Sequence, residues 1–289
     1  MHFFDMCRTE RRRLFNISIC GKTILIAVCV LAMGVLTFIN ENPNIEMTDK
    51  YFYELFRLYF SRGTFFQLLF VPVGYYIMYG ICTDLKEKMS YFFVTRSNIN
   101  AYIAAKFVVG ILYAFVMFEL IFNIFCICGT NIFKIVDYSD YSCGSDVYED
   151  VLKINPYLYF ELRIFIASLI MSLFVGVGMF VTVFFCNRYI GALSAFLAYI
   201  IIVKVEVTLN SVNKLFCYEI IVAGGTRPCS SAIASVGVIA GVTIASLFVV
   251  YILYYKLFRR KLSGRELEEP RFSHFDLMKG GELVLEMEK

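Results

Sequence analysis

Charge is scarce in this 289-residue sequence: only 18% of residues are charged, against 59% hydrophobic, and the mean hydropathy is +0.69. A soluble domain of this size needs more polar surface than that, so a water-surrounded globule is excluded and a bilayer protein is indicated. Histidine is almost absent as well. His2 and His274 stand in opposite tails, which leaves no histidine pair for a metal centre or for acid–base catalysis. Neither HExxH nor GxSxG occurs, so the commonest hydrolase signatures are missing. The net charge of +3 is small and scattered, with no basic patch interleaved with stacking aromatics, and nucleic acid is not an expected partner.

Apolar runs are what the chain has in quantity. Six of them, at about 23–40, 64–82, 102–128, 163–186, 189–207 and 231–255, reach or approach the roughly 20 residues that a 30 Å hydrocarbon core requires. The expected fold is an all-α membrane protein of six transmembrane helices, forming one domain over residues 1–289. Residues 1–22 are a basic amphipathic N-terminal segment, 23–255 the six-span bundle and 256–289 a tail. The first run has a basic flank, RTERRR, but no small-residue cleavage site, and it reads as a retained span. Lys and Arg concentrate in the two tails, after span two and at Asn187–Arg188. By the positive-inside rule both termini and Arg96 are cytoplasmic, with Asp146 and Gly225 outside. Outside, YFYELFRLYF in residues 41–63 has the pattern of an amphipathic helix lying at the interface.

Most of the ten cysteines fall within apolar runs, where a thiol acts as a small hydrophobe. Cys217 and Cys229 flank the GGTRP turn and could form a disulfide or stay free. Cys126 and Cys128 point to different helix faces, which argues against a shared site.

The most unusual stretch is DLKEKMSYFFVTRSNINAYIAAKF, residues 84–107, between spans two and three. Asp84 and Glu87 have capping-box spacing, placing a short helix from Leu85, while Ser97, Asn98 and Asn100 offer caps for span three. Met89, Tyr91, Phe92 and Phe93 form an apolar group between Lys86, Lys88 and Arg96. Leaving such a group in water is costly, and a partner groove or the headgroup layer would relieve it.

The basic amphipathic N-terminal segment, six spans, the motif Asp84, Glu87, Thr95, Arg96 and Lys106, and the short basic tail together resemble the membrane subunits of bacterial ABC exporters. More narrowly, they resemble the six-helix permease class whose ATPase is a separate chain. Where members of that class often carry a glycine after the acidic residue, this chain has Lys88, Met89 and Ser90. The resemblance implies a coupling helix between spans two and three, with Asp84, Glu87, Met89, Tyr91, Phe92, Phe93 and Arg96 contacting a cytoplasmic ABC ATPase. It also implies a second permease subunit, identical or not, and a place in the bacterial cytoplasmic membrane. This chain would have no catalytic residue and bind no cofactor directly; ATP and Mg would sit in the partner ATPase. Two phosphate-loop lookalikes do not change this. CGKT at 20–23 lacks the earlier glycine, and LSGRE at 262–266 stands in a tail without a nucleotide-binding domain. A six-span channel or secondary transporter, or a non-transporting assembly or immunity factor, are the alternatives.

Within the bundle, Glu119 in span three and Lys204 in span five reach the same depth, about 22 and about 21 Å up their helices at 1.5 Å per residue. Mutual pairing, with Asn123 one turn above Glu119, would offset the cost of burying each charge. The rival arrangement has Lys204 snorkelling to the headgroups and Glu119 protonated. Gly237, Gly241 and Ala245 form a small-residue stripe suited to close packing within the bundle. Pro72 should kink span two, and Gly176 and Gly178 offer span four a place to bend.

Overall fold

The computed structural model describes residues 3–41, 52–53, 55–56, 67–86, 99–133, 148–209, 229 and 231–267; side chains at 38, 39, 41, 149, 203–209 and 263–267 are excepted. Among these residues the fold is entirely helical, with eight helices: α1 (Phe3–Leu14), α2 (Ile17–Glu41), α3 (Phe70–Lys86), α4 (Ile99–Ile132), α5 (Glu149–Ile154), α6 (Pro156–Phe185), α7 (Arg188–Leu209) and α8 (Ala232–Leu267). Each of the six apolar runs has most of its described residues in one helix. Four contain stretches long and apolar enough to cross a membrane: Ile17–Thr37, Ile99–Ile132, Pro156–Phe185 and Ala232–Leu262; α7 contributes a shorter apolar stretch, Arg188–Ile202.

Local signals explain the helix starts. Asn155 accepts hydrogen bonds from the amides of Tyr157 and Leu158, with Pro156 in the first turn. Asn187 does the same for Tyr189 and Ile190 ahead of α7, and Asn16 for Ser18 ahead of α2. Each cap satisfies backbone donors that the first turn leaves open. Asn100, expected to cap span three, lies inside α4 and accepts a hydrogen bond from Tyr255 of α8 at 2.7 Å instead. A break in the helix stands just before Pro72. The helical residues Gln67 and Leu68 are followed by a turn at Leu69 before α3 resumes, because proline cannot donate to the residue four back and clashes with its carbonyl.

The organising element is α6. It packs against α3, α4, α5, α7 and α8, and 72% of its most apolar window is buried, against 22% for α2 and 11% for α8. Its closest approach is to α7. A side chain at Gly178 would meet the Gly191 carbonyl at 2.8 Å, so this glycine serves packing between two helices rather than bending of one. By contrast, α8 turns its small-residue stripe outward. Gly237, Gly241 and Ala245 are exposed, and a side chain at either glycine would find open space. The in-bundle packing expected of them is therefore not found among the described residues; α8 instead contacts α6 and α4 through its other faces.

One end of the bundle is aromatic. Phe52, Tyr53, Leu55 and Phe56, from the stretch expected to lie at the interface, are helical and essentially fully buried. Phe52 packs on Phe125 of α4 and Phe160 of α6, and Tyr53 on Tyr159. Phe52 also fills the space where a side chain at Gly129 would stand. Their apolar side rests on protein rather than on lipid, because α4 and α6 present rings that bury more area than a headgroup layer would.

Candidate functional site

At the opposite end, α1 lies across the start of α4 and the end of α3. Its inner face carries Met6, Glu10 and Leu14, all buried and spaced four apart, while Arg8, Arg11 and Arg12 face outward. An acid on the apolar face of an amphipathic helix must find a cation or lose its charge. Glu10 finds Lys106 of α4, at 3.3 Å.

Lys106 also pairs with Asp84 of α3. Asp84 in turn accepts hydrogen bonds from Arg13 of α1 at 2.9 and 3.2 Å and from the Tyr102 hydroxyl at 2.5 Å. Tyr102 closes the ring by accepting from Lys106 at 3.2 Å. Arg13 further donates to the Gly80 carbonyl at 3.2 Å. Gly80 permits this approach, since a side chain there would stand 3.2 Å from the guanidinium. The result is two cations and two carboxylates from three helices, three of the four groups sealed from solvent: Lys106 is 4% exposed, Asp84 2% and Glu10 7%, while the Arg13 side chain is 33% exposed. On the α8 side, Phe258 packs edge-on against Tyr102, and Tyr254 against Phe107.

Buried charges of this kind are costly to assemble and more costly to break singly, because removing one partner leaves another uncompensated in a low-dielectric place. The cluster thus ties α1, α3 and α4 together through their side chains. It offers no obvious chemistry. Among the described residues no group of three or more His, Cys, Asp or Glu side chains is arranged to hold a metal. The nearby Cys7 thiol is held protonated, its pKa raised first by burial and second by Glu10.

The geometry revises one sequence expectation. Asp84 is not the cap of a new helix: it lies within the last turn of α3, and its carboxylate points into the cluster. Glu87, Met89, Tyr91, Phe92, Phe93, Thr95 and Arg96 lie outside the described residues. Asp84 and Lys106, which the sequence motif placed at the two ends of one segment, meet directly. Glu10 and Arg13 were not foreseen; the signal available for them was an acid at the four-residue spacing of the buried face of α1.

Glu119 is half-buried on α4. Asn123 donates to its backbone carbonyl at 3.1 Å and reaches its carboxylate at 3.5 Å, as the one-turn spacing predicts. Lys204 lies on α7, its side chain outside the described residues. Both α4 and α7 pack principally on α6 rather than on each other. Cys126 is buried and Cys128 exposed, in keeping with their different faces, and Cys229 is a free thiol.

Comparison of the chain with known protein families, with curated proteins and with solved structures finds no match.

Proposed function

We propose that this chain is the membrane subunit of a bacterial ABC exporter whose ATPase is a separate polypeptide. The observation that carries the reading is the charge cluster. Asp84 stands two residues before the end of α3, and Lys106 stands two turns into α4, so the cluster clamps both flanks of the segment 87–98 to each other and to α1. A push on that segment would pass into α3 and α4 as rigid bodies instead of being absorbed by loose side chains, which is what a coupling device needs. The cytoplasmic ATPase would bind ATP and Mg and seat itself on Met89, Tyr91, Phe92 and Phe93; this chain would supply the path.

Two further features support the reading. The amphipathic α1 and the basic ends of α3, α7 and α8 gather at one end of the bundle, and the positive-inside rule makes that end cytoplasmic. The six apolar helices then count as six spans with both tails inside. The buried ionisable groups at this end neutralise one another in a compact knot, which favours a mechanical role over a continuous ion path. A second permease subunit would complete the path, in a bacterial cytoplasmic membrane.

The test is whether an ABC ATPase is encoded beside this chain and co-purifies with it. Replacing Tyr91, Phe92 and Phe93 with Ser is expected to release that ATPase or abolish its stimulation while membrane insertion is retained. An unchanged complex with normal ATP hydrolysis would defeat the reading.

A further inference from the structure

A second group of cations at the basic end has no carboxylate against it among the described residues. Lys261 of α8 donates to the Phe184 carbonyl at 2.7 Å and to the Cys186 sulfur at 3.2 Å, which places its ammonium at the turn between α6 and α7. Two residues on, the Arg188 guanidinium lies over the rings of Tyr75 and Tyr79 of α3 and of Tyr189, at 5.6, 5.0 and 4.9 Å. Lys86 follows Tyr79 by seven residues, two turns along the same face of α3, and is exposed. All three lie within electrostatic reach of Cys82, which is 5% exposed.

Among the described residues none of these cations is in an ion pair; Glu10, Arg13, Asp84 and Lys106 pair among themselves. Asp84, two residues before Lys86, turns its carboxylate into the other cluster, and Glu87, which follows Lys86, lies outside the described residues. Three like charges near one point repel one another, and an anion between them relieves that repulsion. Stacking fixes the plane of Arg188 and leaves most of its N–H edge open, an arrangement suited to phosphate.

Position and surroundings narrow the anion. Arg188 opens the apolar stretch Arg188–Ile202, Lys261 lies at the end of Ala232–Leu262, and Lys86 closes α3. The three therefore stand where apolar helices give way to polar chain, the level of the headgroups. Directly below them, Leu193, Leu197 and Ile201 form an outward stripe on α7 at four-residue spacing, each 45–59% exposed. We propose that Lys86, Arg188 and Lys261 bind the phosphate of an anionic phospholipid, with its acyl chain lying along the Leu193–Leu197–Ile201 stripe. Basic pockets between spans at the cytoplasmic surface are suited to such headgroups.

The experiment titrates the full chain in detergent with phosphatidylglycerol, phosphatidylcholine or inorganic phosphate, and counts bound lipid by native mass spectrometry. Phosphatidylglycerol is expected to be retained in preference to phosphatidylcholine. The Lys86→Gln/Arg188→Gln variant should weaken its retention roughly fivefold for each cation removed, while Arg8→Gln/Arg12→Gln, which removes the same charge from α1, should leave it unchanged. Arg188→Lys alone, keeping the charge, should hold the lipid better than Arg188→Gln. Equal retention of both lipids, or equal loss in the two double variants, would overturn the proposal. Inorganic phosphate binding as tightly as phosphatidylglycerol would assign the cations to a free anion and overturn the lipid assignment.

Discussion

The two ends of the bundle both bury a positive charge, one among carboxylates and the other against aromatic rings. At the basic end Lys106 is matched by carboxylates from α1 and α3. At the aromatic end Arg163, only 2% exposed, lies between the rings of Tyr148 and Tyr159 at 5.8 and 5.9 Å. Charge pairing is directional and fails abruptly when one partner leaves. Ring stacking is broader, falls off gradually and is shared among many contacts. The first ties α1, α3 and α4 together at a few points, and the second joins Tyr148 to α6 through Arg163.

The sharpest way to break this comparison is Lys106→Met, which leaves Asp84 and Glu10 facing each other with only Arg13 beside them. We expect a loss of about 3–5 kcal/mol, seen as a fall in the unfolding temperature of the detergent-solubilised chain. Adding Glu10→Gln should recover part of it; strict additivity of the two changes would show that the cluster is not a unit.

Arg163→Lys should cost less, about 1–2 kcal/mol. It keeps the charge but loses the planar guanidinium that stacks on two rings. The same unfolding assay applies, and a loss as large as that at Lys106 would erase the distinction between the two ends.

The smallest effect is expected between them, at Glu119. Because α4 and α7 each pack on α6, and Asn123 already attends the Glu119 carboxylate, Glu119→Gln should change stability by no more than about 0.5 kcal/mol. Its coupling to Lys204→Met in a double-mutant cycle should be no larger. A coupling above about 1 kcal/mol would restore the intramembrane pair that the equal depths of the two residues suggest.

Much of the architecture was legible because it depends on short-range rules. Apolar run length places six helices and Pro72 marks an interruption; the caps Asn16, Asn155 and Asn187 obey rules just as local, although Ser97, Asn98 and Asn100 were the caps singled out from the sequence instead. The charge cluster was half legible. Asp84 and Lys106 stood out as charges at the edges of apolar runs, but nothing local says that they meet, 22 residues apart. Nor does it say that Glu10, 96 residues from Lys106, completes the neutralisation. The short α5 was hidden in an acidic, turn-rich stretch, and its seat on α6 depends on Tyr148 packing over Arg163.

By itself, then, the sequence determined the solvent this protein lives in, the number and approximate limits of its apolar helices and the clustering of its basic residues, because hydrophobic free energy and charge add up along the chain whatever the fold. Only tertiary structure decided which charges neutralise one another, that α6 rather than α8 forms the centre, and that Gly178 faces a neighbour while Gly237 and Gly241 face outward. Those outcomes depend on how helix faces are turned toward each other. Composition and periodicity leave that rotation open in helices apolar on every side, and packing among several helices at once fixes it.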